Sequence, residues 1–198
     1  VLASTSRYRR ELLARLGLPF ETVAPNTDET TLPGESPRAL ALRLARAKAL
    51  AVAEQFPDAL IIGSDQVATT KTTATAESAQ QEHILGKPGN HDNARRQLRL
   101  LSGNSAHFHT GLALHSTRNG QTLTELISVE VRFRPLTDAQ IERYLEREQP
   151  FDCAGAAKSE GLGIALIEGI VGNDPNALVG LPLIALTGML AQLGMPVL

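Results

Sequence analysis

Several polar segments of this chain carry residue types that could do phosphate chemistry. The first is Ser4-Thr5-Ser6, followed at once by Arg7, Arg9 and Arg10. Hydroxyls and guanidinium groups at the mouth of a helix make an anion site, because unpaired backbone N–H groups and the positive end of the helix dipole already favour negative charge there. A capped helix with a solvated face accounts for the same residues, and the two readings are compatible. The second is PNTDET, Pro25 to Thr30, which places Asp28 and Glu29 after a short apolar stretch. The third is GSDQV, Gly63 to Val67, which places Asp65 just past an apolar run. An Asp there suits an ordinary turn. If the two loops converge, Glu29 and Asp65 instead supply hard oxygen ligands for Mg²⁺.

The lysines add positive charge. Lys48 follows Leu44 and Leu40 at four-residue steps, so the three share one helix face. A lysine in register with an apolar stripe either snorkels to water or serves a site. Lys87 lies in LGKPGN and Lys158 in CAGAAKSEGLG, two glycine-rich segments whose backbone N–H groups can approach an anion closely. Neither segment has the spacing of a P-loop. The histidines show no zinc-ligand spacing, and no Gly-x-Ser-x-Gly supports a serine hydrolase. Lysines, clustered arginines and two loop acids together suit a nucleoside triphosphate with a divalent metal.

The bulk properties narrow the classes. A net charge of −2 over 198 residues argues against a nucleic-acid-coating surface, so a polyanion must meet a local basic cluster. Hydrophobic residues reach 42% but aromatics only 4%, which requires an aliphatic core. Cys153 is the single cysteine, which predicts a reducing, cytoplasmic compartment; no signal-peptide pattern opens the chain. The apolar tract Leu178 to Gly194 is broken by Pro182, Gly188 and Gln192, so it predicts a buried helix and no membrane span.

These residues need a scaffold. Leu12, Leu13 and Leu16 predict a first helix after the hydroxyl run. Ser36 and Pro37 predict the start of a second, running to about Phe56. Asn90 to Leu101 predicts a third, Thr137 with a Gln140 capping box a fourth, and Pro182 starts the last. Strands are expected at Phe20 to Ala24, Ala59 to Gly63, His107 to His115, Leu123 to Phe133 and Gly163 to Glu168, with a turn at Asn119-Gly120. Thr69 to Glu82 is polar and of low complexity, which predicts a mobile loop or a distorted hairpin. The alternation predicts an α/β domain spanning 1–198.

Seven segments in one order make a combined signature. They are STSxxRxxLL (Ser4 to Leu13), DET (Asp28 to Thr30), Lys48, GSDQ (Gly63 to Gln66), LGKP (Leu85 to Pro88), CAGxxKSEG (Cys153 to Gly161) and DPNxLVGLP (Asp174 to Pro182). The set resembles the Maf family of nucleotide pyrophosphatases over essentially the whole chain, and most of all its bacterial subgroup acting on 7-methyl-GTP. The resemblance implies a fold like that of inosine triphosphate pyrophosphatases, an elongated mixed sheet flanked by helices with a central cleft. It implies cleavage between the α- and β-phosphates of a small-molecule nucleoside triphosphate, with Mg²⁺ or another divalent metal such as Mn²⁺ or Co²⁺. Asp65 matches the catalytic acid, acting as general base, as metal holder, or both. Glu29 joins Asp65 as a metal ligand. Ser4, Ser6, Arg9, Lys48, Lys87 and Lys158 would hold the triphosphate, and Tyr8, Gln66 and Glu160 would read the base. Relatives using dTTP or UTP tend to carry Thr at the position of Gln66 and Gln at that of Glu160. Two features depart from the pattern: the subgroup prefers Trp where Tyr8 stands, and relatives are shorter at Thr69 to Glu82. The resemblance also raises a homodimer, a pyrimidine triphosphate substrate, and a regulatory role in cell division as readings to test.

Overall fold

The helices form where the caps place them. In the computed structural model, which describes residues 1–71 and 82–198, α1 (Arg7–Ala14) begins after Ser6, whose side chain accepts from the Arg9 N–H. Helix α2 (Pro37–Leu50) starts on Ser36, which accepts from Ala39 N, with Pro37 in the first turn where its missing N–H costs nothing. Asn90 caps α3 (His91–Leu101). Thr137 and Gln140 close a reciprocal capping box on α4 (Asp138–Glu148). Helix α5 (Leu183–Gln192) follows Pro182. Its first-turn N–H groups are met from outside: Asp174, 3% exposed, accepts from Ile184 N at 2.7 Å and Ala185 N at 3.3 Å. No helix among the described residues is long and apolar enough to cross a membrane.

The strands are β1 (Leu2–Ala3), β2 (Thr22–Val23), β3 (Leu60–Lys71), β4 (Glu82–Leu85), β5 (Ser105–Ser116), β6 (Thr122–Phe133) and β7 (Ile167–Val171). They form one mixed sheet in the order β2-β1-β3-β5-β6-β7, with β4 on β3. Strand β1 runs parallel to both β2 and β3, whereas β4 and β7 run antiparallel to β3 and β6. The mixed α/β sheet with flanking helices is therefore present.

Contacts divide the chain into two compact units. The first comprises 1–66, 109–128 and 173–198, and the second comprises the described residues of 67–108 and 129–172. In the first, alternation along the strands feeds two aliphatic cores. Leu2, Ile62, Leu112 and Leu114 join Leu12 and Leu13 of α1 and Leu186 and Leu190 of α5. Ala3, Ile61 and Ala113 meet Ala45 and Ala49 of α2. Each fully buried leucine contributes about 1.5–3 kcal/mol. In the second unit, α3 packs on α4, and Leu98, Leu101, Phe108, Val131, Phe133, Ile141 and Leu145 are buried.

The structure corrects two sequence expectations and decides between the alternatives of a third at its described ends. Strand β3 does not stop at Gly63 but runs through Asp65 to Lys71, so Asp65 sits inside a strand and not in a loop. Ser, Asp, Gln and Thr look like loop residues in sequence, but here their polar atoms find fixed partners: Ser64 Oγ lies 2.9 Å from the Gly111 carbonyl and Thr70 Oγ1 donates to Ser105 O at 2.8 Å. For Thr69 to Glu82, expected as a mobile loop or a distorted hairpin, the described ends pair as the hairpin alternative requires. Thr69, Thr70 and Lys71 pair with Ile84, His83 and Glu82 in an antiparallel ladder, and residues 72–81 lie outside the described residues. Finally, only the end of Gly163 to Glu168 is strand: a 3-10 turn occupies Leu162–Leu166, and β7 begins at Ile167.

Candidate active site

Lys48 is the hub of the first unit's polar cluster. Its Nζ lies 2.6 Å from Asp65 Oδ1 and 2.6 Å from Glu29 Oε1. The lysine is 7% exposed and Asp65 8%, so the ammonium does not snorkel to water. It is buried on the α2 face that also buries Leu40 and Leu44. Helix α2 reaches β3 this closely because of two glycines. A Cβ on Gly63 would lie 2.1 Å from Ala45 O, and one on Gly111 would lie 2.2 Å from Ala41 O. Neither strand could carry a side chain there without pushing the helix away.

Glu29 arrives from an irregular segment between β2 and α2, and Glu35 shapes that segment. Glu35 Oε2 accepts from Leu32 N at 3.1 Å. Arg43 forks onto Glu35 at 2.6 and 2.8 Å and donates to Thr30 O at 3.0 Å. The guanidinium bonds hold the Glu35 carboxyl well below its ordinary 4.5, at about 2. Neither Glu35 nor Arg43 stood out in the sequence, where a carboxylate and an arginine eight positions apart across a loop and helix start give no periodic signal.

The Ser4–Arg9 segment meets the same centre through one backbone carbonyl. Ser4 Oγ accepts from Ser6 N at 3.1 Å, so both serines order the turn into α1. Arg9 Nε donates to Gly180 O at 2.8 Å, and Ser64 Oγ lies 2.8 Å from that same oxygen. Gly180 has φ +111, a conformation side chains disfavour. Burial lowers the Arg9 guanidinium from its ordinary value, and the Asp65 and Glu29 carboxylates oppose that shift. Arg9 therefore shares an electrostatic field with both acids. Gln66, next to Asp65, donates its amide to Ala177 O at 2.9 Å, Leu178 O at 3.1 Å and Thr110 Oγ1 at 3.0 Å. Its NH₂ group thus holds the 3-10 turn Ala177–Val179. Tyr8 is covered by Arg7, whose Cζ stands 4.7 Å from the ring centroid and whose Nη2 donates to the phenol oxygen at 2.6 Å.

The second unit holds the remaining candidates. Lys158 Nζ donates to Glu148 Oε1 at 2.6 Å, an acid the sequence reading did not single out. Glu160, two residues on, is exposed, with Ser159 Oγ at 3.4 Å from its Oε2. Lys87 is exposed, on the turn between β4 and α3, and has no ion pair among the described residues.

Chemically, the first unit brings two carboxylates onto one ammonium beside a half-buried arginine and a serine-capped helix N-terminus. The donor set is two hard oxygen ligands, which suits Mg²⁺. Among the described residues no group of three or more His, Cys, Asp or Glu could hold a metal, so such an ion would draw its other ligands from water and phosphate oxygens.

Comparison with known proteins agrees in kind. A family model described as Maf-like protein matches residues 1–193. The "7-methyl-GTP pyrophosphatase" of Thiobacillus denitrificans is 58% identical over 100% of this chain and 94% of its own length. Proteins with the same name from Nitrosococcus oceani and Methylobacillus flagellatus are 55% and 54% identical, again over 100% of this chain, and over 94% and 98% of their own. Among solved structures, the nucleoside-triphosphatase / dITP/XTP pyrophosphatase of Mycobacterium abscessus matches at 18% identity and a TM-score of 0.39, over 68% of this chain and 74% of its own, a distance that carries no argument about the site.

Proposed function

Because the chain belongs to the Maf family, we propose that it hydrolyses 7-methyl-GTP at the α–β phosphoanhydride, giving 7-methyl-GMP and pyrophosphate. The convergence of Glu29 and Asp65 on Lys48, each at 2.6 Å, is the observation that supports this reading. A triphosphate needs balanced charge, and this cluster supplies acids to hold a divalent ion and cations to meet phosphate oxygens.

Glu29 and Asp65 would hold the ion, which when bound neutralises phosphate charge and lowers the pKa of coordinated water. Lys48 neutralises the two carboxylates in the ion's absence and stands ready to donate to a phosphate oxygen. Arg9, fixed on Gly180 O, presents its guanidinium beside them. Ser4 and Ser6 order the α1 N-terminus, whose N–H groups and dipole favour a phosphate. Asp65 takes the proton of the attacking water, or holds the ion that activates it; metal titration of Asp65→Asn separates the two. Lys87 and Lys158 would complete the phosphate contacts, and Tyr8, Gln66 and Glu160 would set base choice, with Gln66 acting through the Ala177–Val179 turn it supports. House-cleaning of modified nucleotides in the cytoplasm fits such an activity.

The test is a panel of 7-methyl-GTP, GTP, dTTP and UTP with Mg²⁺, read by pyrophosphate release. Preferred turnover of 7-methyl-GTP is expected. Orthophosphate release with accumulation of the diphosphate would overturn the bond assignment, and preference for dTTP or UTP would move the chain to a pyrimidine substrate. Full nucleotide binding with no turnover would favour a regulatory role.

A further inference from the structure

The segment Ala156–Leu162 carries two of the proposed substrate residues, and α4 grips it from one side. Tyr144 donates its hydroxyl to Ala156 O and accepts from Lys158 N, both at 3.1 Å. Burial raises the Tyr144 phenol well above its ordinary value, so it stays a donor. One turn later α4 ends on Glu148, followed by Gln149 in the left-handed region at φ 49. The Glu148 carboxylate divides its two oxygens. Oε1 takes Lys158 Nζ and Oε2 takes Leu162 N, each at 2.6 Å. The carboxylate also lies flat on Gly161, where an added Cβ would stand 2.7 Å from Oε2. The turn itself is closed by Gly161 N donating to Lys158 O at 3.0 Å.

We propose that Glu148 is a positioning residue that aims Lys158 at the triphosphate and sets the turn presenting Glu160 to the base. This rests on the reading of Lys158 and Glu160 as substrate residues. The geometry favours it over a plain surface pair. The pair is mostly out of solvent, with side-chain exposures of 21% for Lys158 and 13% for Glu148. The Lys158 bond, aided by Leu162 N, holds the Glu148 carboxyl below its ordinary value against burial, so it is charged at neutral pH. An ammonium has three donors, so Lys158 can keep Glu148 while donating to a phosphate oxygen. The other carboxylate oxygen fixes the far end of the turn, with only Ser159, Glu160 and Gly161 between the two grips. One acid thereby ties the phosphate contact to the base contact.

Two variants separate these grips. Glu148→Gln keeps an oxygen for Leu162 N and removes the charge that orients Lys158. It should raise KM for 7-methyl-GTP and GTP alike by about threefold or more, with kcat changed less and the kcat/KM ratio between the two nucleotides kept within about twofold. Glu148→Ala releases both ends of the turn. It should raise KM by about tenfold and also reduce the 7-methyl-GTP over GTP ratio by about fivefold or more. Lys158→Ala, the reference, should raise KM for both nucleotides and keep the ratio. A merely structural Glu148 would lower the yield of folded enzyme and scale kcat equally for all nucleotides, with KM and ratio unchanged; that result in Glu148→Ala overturns the proposal. Should Glu148→Ala not fold, an unchanged KM in Glu148→Gln overturns it. Absence of pyrophosphate release from the wild type would sink the functional reading instead. Calorimetric Kd values for α,β-methylene analogues of 7-methyl-GTP and GTP then decide Glu148's role by the same shift and ratio.

Discussion

Lys48 Nζ stands 2.6 Å from Asp65 Oδ1, with both residues buried, one on a helix and the other in mid-strand. The pair is not isolated, because Glu29 Oε1 lies 2.6 Å from the same ammonium. Buried charge is tolerated only when paired, and here one cation answers two anions.

Asp65→Asn tests this centre. It keeps the shape and removes a negative charge and a basic site. Turnover should fall about 10²- to 10⁴-fold, the range for losing a general base. Breaking a buried pair outright costs about 3–5 kcal/mol, but Glu29 still pairs Lys48, so the cost should be smaller. A folded protein with a thermal midpoint lowered by several degrees and turnover lost is the expected outcome. Near-normal turnover at saturating metal removes Asp65 from the mechanism.

Lys48→Met leaves Glu29 and Asp65 without their shared cation. Two neighbouring carboxylates attract a divalent ion more strongly once the competing ammonium is gone. Mn²⁺ titrated calorimetrically without nucleotide should bind more tightly than to the wild type, while pyrophosphate release falls. Weaker Mn²⁺ binding in the variant would show that Lys48 organises the carboxylates and does not compete for them.

Gly63→Ala probes the approach of α2. A Cβ there would lie 2.1 Å from Ala45 O, which is helix backbone. The helix must move, at about 1–3 kcal/mol or more for overpacking, and Lys48 moves with it. Both the melting temperature and kcat should drop. A variant with wild-type melting and turnover would mean that α2 has slack the structure does not show.

Acid sensitivity should report the Glu35–Arg43 staple. The folded Glu35 carboxyl lies at about 2, against an ordinary 4.5. A lowered pKa adds stability above the ordinary value, and that share is lost as pH falls from about 4.5 towards 2. Glu35→Gln should therefore flatten the stability profile over that window and leave its neutral limb lower. Identical acid limbs would show that the pair contributes nothing measurable.

Glu160→Gln addresses base choice. The phosphate grip sees only the shared triphosphate, so discrimination must come from groups that reach the base. If Glu160 pairs with a guanine edge or offsets the 7-methyl charge, kcat/KM for 7-methyl-GTP should fall by about 1.5–3 kcal/mol, the scale of one charged hydrogen bond. Values for dTTP and UTP should hold or rise. Equal losses on all four nucleotides would assign Glu160 to the shape of the turn.

Local rules fixed most of the elements before any contact was known. Ser36-Pro37, Asn90 and Thr137 with Gln140 mark helix starts because capping depends only on neighbours in sequence, and all three helices begin there. The motifs likewise named Asp65, Glu29 and Lys48, since residue type and order are properties of the chain. Tertiary structure decided what those residues touch. Sequence placed Asp65 in a loop, because serine, aspartate and threonine favour turns; long-range partners such as Gly111 O and Ser105 O make the same residues a buried strand. Glu148 and Glu35 were silent in sequence, because an ordinary surface-looking glutamate acquires meaning only when a distant lysine or arginine folds onto it. The opening serines show both limits: their spacing declared a helix cap, and only the folded chain joined Arg9 to Gly180, 171 positions away, beside the acids.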